Sequence, residues 1–134
     1  MIAVDTNLIA HLFVESGSSG VARQILVRDP EWTSPILWRS EFRNALVKCL
    51  WAGSVQRDKA HKIMTAALTL MSGREYHVAS DDVLELATEA RCSAYDAEFV
   101  SLARELEVPL VTTDRELLEK FPDTAVSPER FLAR

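Results

Sequence analysis

Asp5, Glu41, Asp96 and Asp114 are the residues of this 134-residue chain whose type and placement point to chemistry. Each falls where an expected strand or turn hands over to an expected helix, or within the opening of a helix. Far apart in sequence, they meet in a compact fold only in a heavily charged pocket. Two carboxylates about 5 Å apart repel by roughly 3 kcal/mol at an effective dielectric near 20. A divalent cation between them offsets that repulsion, and a cation held by oxygens points to phosphate chemistry.

The elements that must position these acids are legible in the apolar pattern. Ile2-Ala3-Val4 reads as a buried first strand ended by Asp5. Helices are expected over 7–14 and 21–28, with Asp29-Pro30 stopping the second. Trp32-Thr33-Ser34 reads as a strand, with Pro35 opening a helix that runs to Trp51 on a stripe of Trp38, Phe42, Ala45 and Cys49. Gly53 ends it, and a further helix covers 58–71. Tyr76-His77-Val78 suggests a third strand. Ser80 is expected to cap a helix to about Ala90, and Asp96–Leu106 forms the next helix. Val108–Thr112 reads as a parallel strand, 115–121 as a short helix, Thr124-Ala125-Val126 as an edge strand and Ser127-Pro128-Glu129 as a turn. Short apolar strands interleaved with helices specify an α/β fold. The expectation is one domain over residues 1–134, a central parallel sheet flanked by helices in an α/β/α sandwich. Sites in such sheets lie beyond the carboxyl ends of the strands, where Asp5 and Asp114 fall.

Composition narrows the function classes. The net charge of −5 disfavours a general, charge-driven nucleic-acid binder but not a nuclease, whose acidic pocket is itself a source of negative charge. No apolar run reaches the roughly 18–20 residues that span a bilayer, and Met1–Asp5 lacks the pattern of a signal peptide, so a cytoplasmic location is expected. Cys49 and Cys92 lack metal-ligand spacing, as do His11, His61 and His77.

The bland reading is that Asp5, Asp96 and Asp114 are helix N-caps, a role Asp favours. Glu41 resists it. Trp38 and Ala45, at i−3 and i+4, belong to the apolar stripe, so Glu41 borders the buried face rather than bulk water. The local contexts add more. Val-Asp-Thr-Asn stands at 4–7, Ser-Glu at 40–41, Tyr-Asp-Ala at 95–97 and Val-Thr-Thr-Asp at 111–114.

With these four motifs in this order, the chain resembles the PIN-domain family, in particular the small VapC-type toxin ribonucleases. The resemblance spans nearly the whole chain. It implies a Mg²⁺- or Mn²⁺-dependent endoribonuclease, with the family's acids on Asp5, Glu41, Asp96 and Asp114. The family's hydroxyl position falls on Thr112, with Thr113 as the lesser candidate, and Thr6 and Asn7 hold the first loop. It also implies an RNA substrate, a cognate antitoxin and a homodimer, for which Trp32, Trp38, Trp51, Ile9, Leu12 and Phe13 offer apolar area. Two departures stand out. Leu117 occupies a position where some relatives carry an acid or Asn, with Glu116 beside it. Pro35-Ile36-Leu37-Trp38 before Glu41 is also bulkier than the commonest pattern.

In this reading Asp5 and Asp96 are the main metal anchors. Asp114 completes the coordination or orients a water, and Glu41 shares a metal or accepts the water's proton. Arg39, Arg43 and Arg115 are the candidate cations for the RNA backbone. The alternatives are a PIN-fold RNA-processing nuclease without a toxin role, an acidic-pocket phosphotransfer or phosphatase domain, and a non-catalytic module. A receiver domain wants a Lys after its late strand, which is absent beside Thr112. A haloacid-dehalogenase-like phosphatase wants an acid where Asn7 stands.

Overall fold

The computed structural model describes residues 1–134. The chain runs β1 (Ile2–Val4), α1 (Thr6–Phe13), α2 (Ser19–Arg28), β2 (Trp32–Pro35), α3 (Trp38–Ala52), α4 (Arg57–Met71), β3 (Glu75–Tyr76), α5 (Ser80–Ala90), α6 (Ala94–Leu106), β4 (Leu110–Val111), α7 (Arg115–Lys120), β5 (Ala125–Val126) and α8 (Pro128–Leu132). All neighbouring strands pair in parallel, in the order β3-β2-β1-β4-β5. The α/β sandwich expected from sequence is present.

β1 occupies the centre because it can bury both faces. Ile2 and Val4 point to one side with Val111 and Val126, packing on Ile9, Ile25, Trp38, Phe42, Ala67 and Met71. Ala3 points to the other side with Leu110 and Ala125, against Phe99, Val100 and Ala103 of α6 and Leu117 of α7. This alternation follows the two-residue period of a strand.

Strand order places the site. From β1 the chain steps outward through β2 and β3, then returns to the other side of β1 for β4 and β5. The connections diverge between β1 and β4, leaving a crevice at the carboxyl ends of that pair. Val4 is registered with Val111, so the next residues, Asp5 and Thr112, emerge side by side.

Several expectations are corrected. Pro35 is the last residue of β2 and not the start of α3. The amide of Ile36 carries the bond to the Tyr76 carbonyl at 2.9 Å, so the missing donor of Pro35 costs the ladder nothing. β3 is Glu75–Tyr76 and not 76–78. Ser80 lies inside α5, and Ala79 takes the cap position without a side-chain bond. Ser127 caps α8 by accepting from Arg130 N at 3.3 Å, where a turn was expected. Trp32 and Trp38 are fully buried in the core, so of the three tryptophans only Trp51, 80% exposed, can contribute to an interface. Both cysteines are free. No helix is long and apolar enough to cross a membrane.

Candidate active site

Asp5 follows β1 and is 6% exposed. Its Oδ1 accepts from Leu8 N at 2.9 Å, capping α1. Its Oδ2 accepts the hydroxyl of Thr112, and the same hydroxyl oxygen accepts from Asp114 N at 3.0 Å. Thr112 is fully buried and ties the ends of β1 and β4 together. Asp114 caps α7 through its Oδ1, which accepts from Glu116 N and Leu117 N at 2.9 and 3.3 Å. Glu41, one turn into α3, accepts from Thr6 Oγ1 at 2.7 Å. Asp96 stands in the first turn of α6 but does not cap it. Ser93 does, accepting from Asp96 N at 3.0 Å.

Asp5, Glu41, Asp96 and Asp114 line one cleft of about 330 Å³, together with Thr6, Asn7, Ala10, Asn44, Ala45, Lys48, Phe99 and Leu117. A larger hollow of about 450 Å³ beside β5 is lined by Arg104, Arg130 and Arg134 and lacks such a set of carboxylates, so size does not pick out the site. No three His, Cys, Asp or Glu side chains are gathered into a ready-made ligand cluster. The four acids face a shared space rather than one point.

Electrostatics bear on the choice between cap and site. Burial pushes the Asp5 carboxyl up from 3.8 to about 6, further raised by Asp114 and Glu41 and held back by the bonds from Thr112 and Leu8. A rise of that size corresponds to about 3 kcal/mol against the charged form. An N-cap contributes about 1 kcal/mol, and Asn provides it without charge. Capping is real for Asp5 and Asp114, but it does not account for a buried acid at position 5. Asp96 is pushed up by burial and then by Asp114, Glu116 and Glu41. Glu98, which the sequence did not single out, is raised by burial and by Glu41.

The three arginines lie outside the cleft lining. Arg39 grips Glu75 through Nε and Nη2 at 2.5 and 2.6 Å, beside the bond from Trp38 Nε1 to Glu75. Arg43 donates back to Arg39 O and Ser40 Oγ on its own helix. Arg115 is exposed at the start of α7. The cation that does line the cleft is Lys48, which sequence reasoning missed along with Asn44. Their signal was helical spacing: both share the Glu41 face at i+3 and i+7.

The PIN domain family matches residues 2–123. The chain belongs to the PIN-domain family. Among its relatives, Ribonuclease VapC3 of Pyrobaculum aerophilum is 29% identical over 124 residues, covering 90% of this chain and 95% of that protein. The crystal structure of PAE2754 from Pyrobaculum aerophilum superposes with a TM-score of 0.78 at 26% identity, covering 99% of this chain and 94% of that one. A toxin–antitoxin complex from Klebsiella pneumoniae shares the fold, with a TM-score of 0.69 at 17% identity, covering 96% and 98%. Within this PIN domain the acids are the only side chains in the cleft lining that ionise to a negative charge, and they come from four separate elements.

Proposed function

We propose that this PIN domain is a metal-dependent endoribonuclease, the toxin of a type II toxin–antitoxin pair. The observation that carries the reading is the convergence of Asp5, Glu41, Asp96 and Asp114 on one cleft at the carboxyl edge of the sheet. The relatives support the substrate: one bears the name Ribonuclease VapC3. The Klebsiella pneumoniae neighbour, solved as a toxin–antitoxin complex, is consistent with an antitoxin partner. A homodimer and a cytoplasmic location complete the proposal.

The donor set fits a hard divalent cation. Every candidate ligand is an oxygen, and Glu41 Oε2 and Asp114 Oδ2 accept none of the hydrogen bonds that occupy their partner atoms. Mg²⁺ or Mn²⁺, which keep several waters, suit acids that share a hydrated space. The residues to hold the ion are Asp5 and Asp96, with Asp114 and Glu41 beside them. When bound, such an ion activates water and offsets the charge that builds on a phosphate under attack. The chain's own residues do the positioning. Thr112 fixes Asp5 and the backbone of Asp114. Thr6 holds Glu41 through Oε1, leaving the other oxygen to take a proton from water. Arg43 and Arg115 are exposed secondary contacts for the backbone.

The test is cleavage of single-stranded RNA by purified protein with Mg²⁺ or Mn²⁺, with EDTA, and with the Asp96→Asn variant. Cleavage that requires the ion and disappears in D96N is expected. Equal cleavage by wild type and D96N sinks the reading.

A further inference from the structure

Lys48 stands in a cleft with four carboxylates yet belongs to none of the five ion pairs. Its position on α3 explains this. Glu41, Asn44, Ala45 and Lys48 line the cleft from one face of α3, at spacings of three, four and seven residues. Seven residues advance a helix by about 10 Å. Lys48 therefore lies along the cleft from the carboxylates and not among them. Asn44 lies between, exposed, with its side chain in no hydrogen bond, and small Ala45 leaves the wall open beside it.

We propose that Lys48 and Asn44 form a phosphate-binding subsite for single-stranded RNA, holding a phosphate neighbouring the one beside the carboxylates. The inference rests on the ribonuclease reading and deepens it. A chain of net charge −5 with an acidic cleft repels a polyanion. A strand entering that cleft needs a positive lead, and a lysine serves phosphate as a mobile point charge. The Asn44 amide adds two donors within reach of the same strand. Backbone contact of this kind fixes register without reading bases.

Binding is measured with a fluorescent single-stranded RNA in the D96N background, comparing K48A, K48R and N44A across a salt series. Cleavage is measured in the otherwise wild-type background. K48A is expected to weaken binding about tenfold and to flatten the slope of log affinity against log salt by about 0.7, the loss of one phosphate contact. K48R restores most of both, and N44A has a smaller effect without a change of slope. In cleavage, apparent KM for K48A rises more than kcat falls. Wild-type protein that cleaves RNA, with K48A matching its affinity and slope, overturns the subsite alone. Unchanged binding with a lost rate at saturation also overturns it, placing Lys48 in the chemistry instead. A wild type that cleaves no RNA overturns the ribonuclease reading and the subsite together.

Discussion

Thr112 donates its hydroxyl to Oδ2 of Asp5, a residue 107 positions earlier in the chain, at 2.5 Å. The bond joins the ends of adjacent strands and opposes the effect of burial on the Asp5 carboxyl. Removing it in Thr112→Val lets that carboxyl climb further above about 6. The acid limb of the RNA-cleavage profile should then move to higher pH by about one unit, as the loss of a bond to a charged group implies. T112V loses more activity at pH 6 than at pH 8, and Thr112→Ser restores the wild-type profile. An unshifted limb in T112V removes Thr112 from the machinery.

Asp5→Asn should exchange activity for stability. The Asp5 carboxyl is raised from 3.8 to about 6 in the fold, so its contribution to stability is fully present below about pH 4 and lost as pH rises through 6. In metal-free protein the ionised form costs at most about 3 kcal/mol at pH 7. D5N keeps the α1 cap and removes the charge. Its melting temperature at pH 7 without divalent ions should exceed that of wild type, and the gap should close as pH falls toward 4. Millimolar Mg²⁺ should raise the melting temperature of wild type and not of D5N. Thermal unfolding across pH, with and without the ion, checks all three.

Ser93 and Asp96 separate capping from chemistry on a single helix. Ser93 accepts the Asp96 amide, so S93A should lower stability by about 1 kcal/mol in urea melts. D96N, whose side chain caps nothing, should fold with wild-type stability or slightly better and cleave nothing. A D96N protein destabilised as much as S93A would return Asp96 to a structural role.

Arg39 should behave as a structural residue. Its fork on Glu75, together with Trp38, anchors the start of α3 to the edge strand β3. Glu75 is held below its usual range mainly by the bonds from Arg39, so that contribution is present at neutral pH and fades as the carboxylate protonates in acid. Arg39→Met should lower the melting temperature by roughly a few degrees, with RNA affinity and its salt slope unaltered. A flatter salt slope in R39M would instead show contact with the backbone.

The two arginines nearest Glu41 in sequence illustrate what the chain reveals and what it conceals. Strand ends were legible because Ile2-Ala3-Val4 and Leu110-Val111 are short apolar runs cut off by polar residues, and parallel sheets bury such runs on both faces. That placed Asp5 and Asp114 correctly. On the helix, adjacency in sequence and a shared face differ. Arg39 and Arg43 sit two residues from Glu41, about 200° around the axis, whereas Asn44 and Lys48 share its face. Pro35 was read as a helix opener because proline suits both a first turn and a strand end, and only the pairing of β2 with β3 selects the latter. Ser127-Pro128-Glu129 carried a cap, a proline at N1 and a first-turn acid, the full start signal of a helix, but α8 is only five residues long. Glu98 was hidden because its significance lies in its nearness to Glu41, which no local pattern encodes.

The central position of β1 also bears on synthesis. It precedes every other strand of the sheet in the chain, and its partner on one side, β4, begins at Leu110. Until that late segment leaves the ribosome, Asp5 has no Thr112 beside it, and Asp114 and Leu117 are missing from the cleft wall. A truncated or stalled product retains three of the four acids but cannot close the crevice around them. The order of the strands thus delays the birth of the acidic cleft until Thr112 and Asp114 have been made, so its carboxylates gather only after the two sides of β1 are both in place.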